Sequence, residues 1–286
     1  MSSSNPRPSK AQRKSEAREQ ARLAMEERDR RQKRASFLIK WGVVAAVIAI
    51  LVIIGLIVAG NIRSQVPEAG PAPAHGNEFG GITLTSTTEL AATDVQTVDI
   101  ATLPEEAASP ADPPPGVSAA GADEPVQVVA YVDVNCVHCA NFERTHAEQI
   151  QTWLDEGAIT FEYRNVAYLD ANSQTDYSSR GAAALACVAD ASPGAYWDFS
   201  AAVFGNFENG ELSDAELAEL AAAVGAEDIS TCLAEGTFRP WAQFGTQAAE
   251  TYGVGGTPTV FVDGEEVPDA VSEFAAVTQA KIDEKS

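Results

Sequence analysis

The chain has 286 residues, four cysteines and a formal net charge of −22 at neutral pH, long enough for one full domain with a sizeable core plus appendages. The charge is unevenly placed: residues 1 to 40 carry 12 Lys and Arg against 5 Asp and Glu, whereas the remainder carries 7 against 36. The acidic part is therefore excluded as a nucleic-acid surface and reads as a solvated, solubilising one.

The basic N-terminal segment (1–36) contains SKAQRKSEAREQARLAMEERDRRQKR and reads as an exposed helix or disordered arm beside anionic lipid. The apolar stretch that follows (37–60) includes WGVVAAVIAILVIIGLIVAG without a single charge. It is long enough for a helix to cross the roughly 30 Å hydrocarbon core of a membrane. Clustered Lys and Arg before it, with only Arg63 soon after, place the N-terminus in the cytoplasm and everything from Asn61 onward outside. A cleaved signal peptide is the competing reading, but the apolar run exceeds the roughly 7 to 15 residues of a signal core. All four cysteines, at 136, 139, 187 and 232, fall on the outer side, where disulfides persist, and their even number favours bridges over free thiols.

Residues 61–125 are rich in Pro, Ala and Gly and read as a spacer, with His75 as an exposed loop residue. GGITLTSTTELAATDVQTVDI interrupts it with the Thr, Val and Ile content of a short hairpin or an added strand. The folded domain (126–286) is expected to open on VQVVAYVDV, an apolar run suited to a strand buried on both faces. Asn135 and the CVHC tetrad then start a helix reaching Asp155, with Phe142, Ile150, Trp153 and Leu154 toward the core, and Gly157 ends it. ITFEYRNV supplies the next strand and completes a strand, helix, strand unit.

A helical block follows at about 173–252. Tyr196, Phe199, Val203 and Phe207 share one helical face, and SDAE at 213–216 is a capping box with Leu212 placed to staple onto Leu217. Gly225 and Gly253 are natural helix stops. TVFV, Asp263-Gly264 and EEV signal a hairpin, and Val271, Phe274 and Val277 a closing helix.

A Cys-x-x-Cys at a helix N-terminus is chemically specific. Unpaired N–H groups and the positive end of the helix dipole stabilise a thiolate on Cys136, and Cys139, one turn on, is placed to attack a mixed disulfide. His138 between them adds a positive charge or a hydrogen bond toward Cys136, which makes the disulfide easier to reduce and hence more oxidising. Three other readings compete. A zinc site lacks a second close pair of ligands; copper capture by Cys136, Cys139 and His138 has soft ligands but no methionine beyond the span; a purely structural Cys136–Cys139 bridge explains neither the helix position nor the histidine. His146, two turns beyond His138, reads as a surface helix residue. Trp197, Phe199, Phe204 and Phe207 read as core.

The run VVAYVDVNCVHCANFE, then a helical block, then VGGTPTVFVDG resembles the DsbA-like thiol-disulfide oxidoreductases of the thioredoxin superfamily, particularly membrane-anchored forms from high-GC Gram-positive bacteria. The resemblance covers about 160 residues and rests on two motifs in the family's order. It implies a thioredoxin fold with an inserted helical subdomain, α/β in class, behind a single transmembrane helix and a Pro/Ala-rich linker. It also implies a cis bond between Thr257 and Pro258, with the Thr257 backbone pairing with substrate, and a structural disulfide between Cys187 and Cys232. Val137 departs from the family's usual proline, and Ala130 stands where many relatives carry a buried acid; Asp133 is read either as its replacement or as structural.

The implied activity is donation of the Cys136–Cys139 disulfide to reduced exported proteins, without a prosthetic group or metal, followed by reoxidation by a quinone-linked membrane partner of the DsbB or VKOR type. A reductase or isomerase of the cell envelope, a copper-binding module and a non-catalytic adaptor are the alternatives.

Overall fold

The computed structural model describes residues 66–104 and 113–286, together with Arg22 and Met25. The predicted membrane span and nearly all of the basic segment lie outside the described residues; among the described ones, no helix is long and apolar enough to cross a membrane.

Residues 66–286 are built around a six-stranded sheet in the order β3-β2-β6-β5-β7-β8. Its centre is β5 (Val126–Val132), whose VQVVAYV sequence is buried on both faces except at Gln127. Strand β6 (Ile159–Asn165) runs parallel to it in register from Val126↔Ile159 to Val132↔Asn165, and β7 (Thr259–Val262) runs antiparallel on its other side. The β5–β6 crossover is α1 (Val137–Asp155), as the strand, helix, strand pattern predicts. Asp263 and Gly264, both at positive φ, make the tight turn into β8 (Glu265–Glu266).

One face of the sheet is closed by α1 and by α7 (Ala270–Lys285). Phe274 has no exposed surface and meets the rings of Phe142 and His146 at 5.1 Å, Trp153 at 6.0 Å and Phe161 at 6.5 Å. Truncating such a side chain to alanine costs about 3–5 kcal/mol. His146 belongs to this packing: it is buried, and its Nε2 lies 2.8 Å from the Val271 carbonyl. The surface position expected for it is therefore corrected.

The insertion between β6 and β7 consists of α2 (Tyr177–Ala191), α3 (Tyr196–Gly205), α4 (Asp214–Ala223), α5 (Ser230–Glu235) and α6 (Arg239–Thr251). The Ser213 capping box forms as predicted, the hydroxyl and the Glu216 side chain each bonding the other's backbone N–H. Gly225 and Gly253 take positive φ where two helices stop. Tyr196, Phe199 and Val203 share the buried face of α3, but Phe207 falls beyond its end in a 3-10 turn and is only partly buried. A disulfide joins Cys187 on α2 to Cys232 on α5, with Cα atoms 6.2 Å apart.

Within the expected spacer at 61–125, the segment read as a short hairpin or an added strand is both, and the described part holds further strands. Strands β2 (Ile82–Ser86) and β3 (Glu89–Leu90) extend the main sheet from the edge of β6, and β1 (Ala69–Pro71) pairs with β4 (Thr97–Asp99). The compact unit thus begins at Val66, not Val126. A few residues suffice: Ile82, Leu84, Leu90 and Val98 are buried amid Pro and Ala. Arg164 fastens this segment from below. Its buried guanidinium pairs with Glu162, donates to the Pro115 carbonyl and the Tyr131 hydroxyl, and lies over the Phe79 and Tyr131 rings. The charge is paired and hydrogen-bonded, the condition for burying it at all. His75, expected to be exposed, is half-buried with Nδ1 3.0 Å from the Ala91 carbonyl.

Candidate active site

The site lies where β5 ends and α1 begins. Cys136 occupies the N-cap of α1 in extended backbone conformation, its N–H bonded to the Asp133 carbonyl at 3.0 Å. Across from it, the loop before β7 brings in Thr257 and Pro258, joined by a cis peptide bond. The Cys136 thiol donates to the Thr257 carbonyl at 3.5 Å. The region 121 residues further along the chain therefore meets Cys136 directly.

The two sulfurs differ sharply. The Cys136 pKa is lowered from its ordinary value to about 5, chiefly because the Cys139 thiol donates to its thiolate. The Thr257 side chain and the backbone N–H groups of Cys139 and His138 add to that stabilisation against the opposing effect of burial, although no conventional side-chain cap bond forms. Cys139 is completely buried, and desolvation pushes its thiol far above the ordinary range, with the neighbouring Cys136 charge raising it further. The Asp133 N–H donates to its sulfur at 3.5 Å. Cys136 keeps 6% of its surface exposed and Cys139 none, so an incoming sulfur meets Cys136 first.

The remaining predicted residues take different places. His138 is exposed, and what it brings to the Cys136 sulfur is its backbone N–H; no hydrogen bond of its ring to that sulfur is found among the described residues. Val137 is 54% exposed at the site's surface. Ala130, where a buried acid was sought, is wholly buried in β5, and Asp133 is wholly buried beneath the loop. Cys187 and Cys232 are bonded to each other elsewhere in the insertion. No group of three His, Cys, Asp or Glu among the described residues is arranged to hold a metal ion.

Two features of the site escaped the sequence reading. Glu143, four residues after Cys139, is buried, and the Tyr163 hydroxyl lies 3.0 Å from both of its oxygens; the spacing alone put it one turn below Cys139 on the same helix. Glu211, from the loop before α4, accepts hydrogen bonds from the Asn135 side chain at 3.2 Å and the Thr175 hydroxyl at 2.7 Å. It links the insertion to the residue preceding Cys136, a pairing across 76 positions with no local signal.

The family sequence model described as Thioredoxin matches residues 117–280, more than half of the chain. The chain belongs to the thioredoxin family. It is also 34% identical over 165 residues to the serine/threonine-protein kinase PknE of Mycobacterium tuberculosis and of Mycobacterium bovis. That match takes in 53% of this chain but 29% of the kinase, so the chain spans under a third of these curated relatives' length. Among solved structures, it is similar to the MdbA protein, a thiol-disulfide oxidoreductase from Actinomyces oris, with a TM-score of 0.53 at 22% identity, covering 73% of this chain and 92% of that one. BdbD from Bacillus subtilis gives 0.51 at 22% identity, covering 63% and 100%. These two likenesses establish a shared fold.

Proposed function

We propose that the protein is a protein-disulfide oxidoreductase of the cell envelope that donates the Cys136–Cys139 disulfide to reduced exported proteins. The observation that carries the reading is the contrast between the two sulfurs: a stabilised thiolate at Cys136, which keeps a little exposed surface beside Thr257, and a wholly buried thiol at Cys139 whose pKa is raised. A substrate thiolate attacks Cys136 Sγ, the Cys136–Cys139 bond breaks, and Cys139 leaves with the electron pair and takes up a proton. The substrate's second thiolate then attacks its own mixed-disulfide sulfur and expels Cys136 as thiolate. Two electrons pass from substrate to protein, and the low pKa of Cys136 makes it a good leaving group, which favours this direction.

The apolar stretch at 37–60 would hold the domain outside the membrane with the N-terminus in the cytoplasm, in one plane with a quinone-linked reoxidant of the DsbB or VKOR type. The Thr257 backbone beside Cys136 suits the binding of an extended substrate segment. No prosthetic group enters the exchange.

The test is the reduction potential of the full chain, equilibrated in glutathione buffers with free thiols at Cys136 and Cys139 trapped and weighed. A potential near about −120 mV supports disulfide donation, and one near about −270 mV makes the protein a reductase. Absence of exchange transfers the site to the binding-module reading, copper included.

A further inference from the structure

The loop that brings Thr257 to Cys136 has little of its own to hold it there. It leaves α6 through Gly253, at positive φ, and runs through Val254, Gly255 and Gly256 to Thr257 and Pro258. A Cβ at Gly255 or Gly256 would meet no atom within 4 Å beyond its chain neighbours, so nothing packs closely on either residue. Outward, Gly253, Val254 and Gly255 border a groove. Two consecutive glycines have wide conformational freedom, and holding each in one backbone conformation costs entropy. Yet the Thr257 carbonyl stays 3.5 Å from Cys136 Sγ.

Apart from the cysteines, the hydrogen-bond partners of this loop among the described residues are its own flanks and one side chain from elsewhere. The flanking bonds are local: the Val254 N–H donates to the Ala249 carbonyl at 2.9 Å, and the Thr259 hydroxyl to the Gly256 carbonyl at 2.9 Å. The distant partner is Tyr168, in the connection from β6 to α2, whose hydroxyl donates to the Val254 carbonyl at 2.5 Å across 86 positions of chain. Tyr168 is itself anchored. It packs against the cluster that contains Val129, Tyr131, Val166, Val254 and Phe261. Its chain neighbours are bonded on both sides, the Ala167 N–H to the Thr246 hydroxyl of α6 at 2.9 Å and the Leu169 N–H to the Asp133 carboxylate at 3.0 Å. A fixed residue thus tethers a loop rich in glycine.

We propose that Tyr168 is a positioning residue: its hydroxyl holds the Val254–Thr257 loop in the conformation that presents the Thr257 backbone, and so favours polypeptide substrates over small thiols. The inference rests on the exchange activity proposed above, with Thr257 as the backbone along which substrate lies. Tyr168 acts through the Val254 carbonyl, three residues before Thr257, and makes no hydrogen bond to either sulfur among the described residues. With the tether in place, a polypeptide meets a loop already ordered; without it, binding has to order the glycines first. A small dithiol lays no backbone along the loop and is indifferent to it.

The experiment mixes the oxidised full chain, wild type or Tyr168→Phe, with a reduced peptide carrying two cysteines or with dithiothreitol, and follows the free thiols of Cys136 and Cys139 by trapping and weighing. In either reaction the reductant's two thiols become its disulfide and the Cys136–Cys139 bond becomes two thiols. Loss of one neutral hydrogen bond should slow the reaction with the peptide about three- to tenfold, while the rate with dithiothreitol stays as it was. An unchanged peptide rate overturns the proposal. So does an equal fall with both reductants, which would make Tyr168 a support of the cysteine site as a whole. A Tyr168→Phe chain without a cooperative urea transition overturns it too, since the hydroxyl would then serve the core. A wild type that does not oxidise the peptide sinks the oxidoreductase reading and this inference with it; a wild type that does, beside an unaltered Tyr168→Phe, sinks only the role of Tyr168.

Discussion

The chain carries two cysteine pairs on helices of one compact unit, and three of the four sulfurs belong to residues that are buried. Cys187 lies in the middle of α2 among alanines, 45 positions from its partner Cys232 on α5, and the two form a bridge between helices. Cys136 and Cys139 are three positions apart at a helix N-terminus and stand as free thiols. Burial does not separate the pairs, since Cys187 is 2% exposed and Cys136 6%. The groups facing the sulfur do: N–H donors, a threonine and a second thiol at Cys136, the packed small side chains of α2 at Cys187. On the proposed reading, polar groups that stabilise a thiolate make Cys136 the exchanging sulfur, whereas Cys187, without them, is bonded as a cross-link.

The largest effect that would sharpen this contrast is at the surface-facing thiol. Cys136→Ser should lower exchange with a cysteine-containing peptide by at least about a thousandfold, because no other thiolate in the site can be attacked or released. Cys139→Ser should leave the Cys136 thiolate able to attack a disulfide-bonded peptide, expelling one peptide sulfur as thiolate, while removing the resolving sulfur, so the mixed disulfide accumulates and is seen by mass. If Cys139→Ser accumulates no adduct while Cys136→Ser retains exchange, the division of labour between the two sulfurs is reversed.

Removing the other pair should give a change of a different kind. Cys187→Ser with Cys232→Ser opens a loop of about 45 residues and should lower stability by roughly 4 kcal/mol on the chain-entropy account, read as a fall in the urea midpoint. The potential of the Cys136 pair should not move. A shift in that potential would mean that strain or order in the insertion reaches the active loop, and the separation of the two pairs would fail.

Much of the site was legible because its signals are local. Cys136 and Cys139 announce a helix start by spacing alone, Ser213 and Glu216 cap α4 within four residues, and Asp263-Gly264 demands a turn that few other pairs make so easily. What was hidden depends on distance. Ile82 and Leu84 fall in the stretch whose Thr, Val and Ile content suggests a hairpin or an added strand, but which edge they join is not local: it is β6, where they pair with Tyr163 and Phe161, 81 and 77 positions on. Glu162 and Arg164 alternate along a strand as solvated residues would, yet both are buried: Arg164 donates to the Pro115 carbonyl and lies over Phe79, and Glu162 pairs with Arg164 and accepts from Thr83. His146 looks like one more polar residue on a helix until Phe142, Phe274 and the Val271 carbonyl close around it.

The smallest effect concerns the helix that carries the reactive pair. Glu143 lies one turn beyond Cys139, and burial raises its carboxyl from 4.5 to about 7 despite the hydrogen bond from Tyr163. It has what Cys139 has, desolvation, and lacks what Cys136 has, a set of donors at a helix end. For an acid whose pKa is higher folded than unfolded, the folded state holds the proton more tightly. Its stabilising contribution is complete below pH 4.5 and is lost as the pH rises toward and past 7, by on the order of 3 kcal/mol. Glu143→Gln removes that titration. The variant should match the wild type near pH 4, exceed it in urea midpoint at pH 8, and lose the part of the pH slope between those values that Glu143 supplies. Equal slopes in the two proteins would show that water reaches this turn of α1, and the same water would then be available to lower the pKa of Cys139, weakening the contrast between a ready thiolate and a withheld thiol on which the exchange depends.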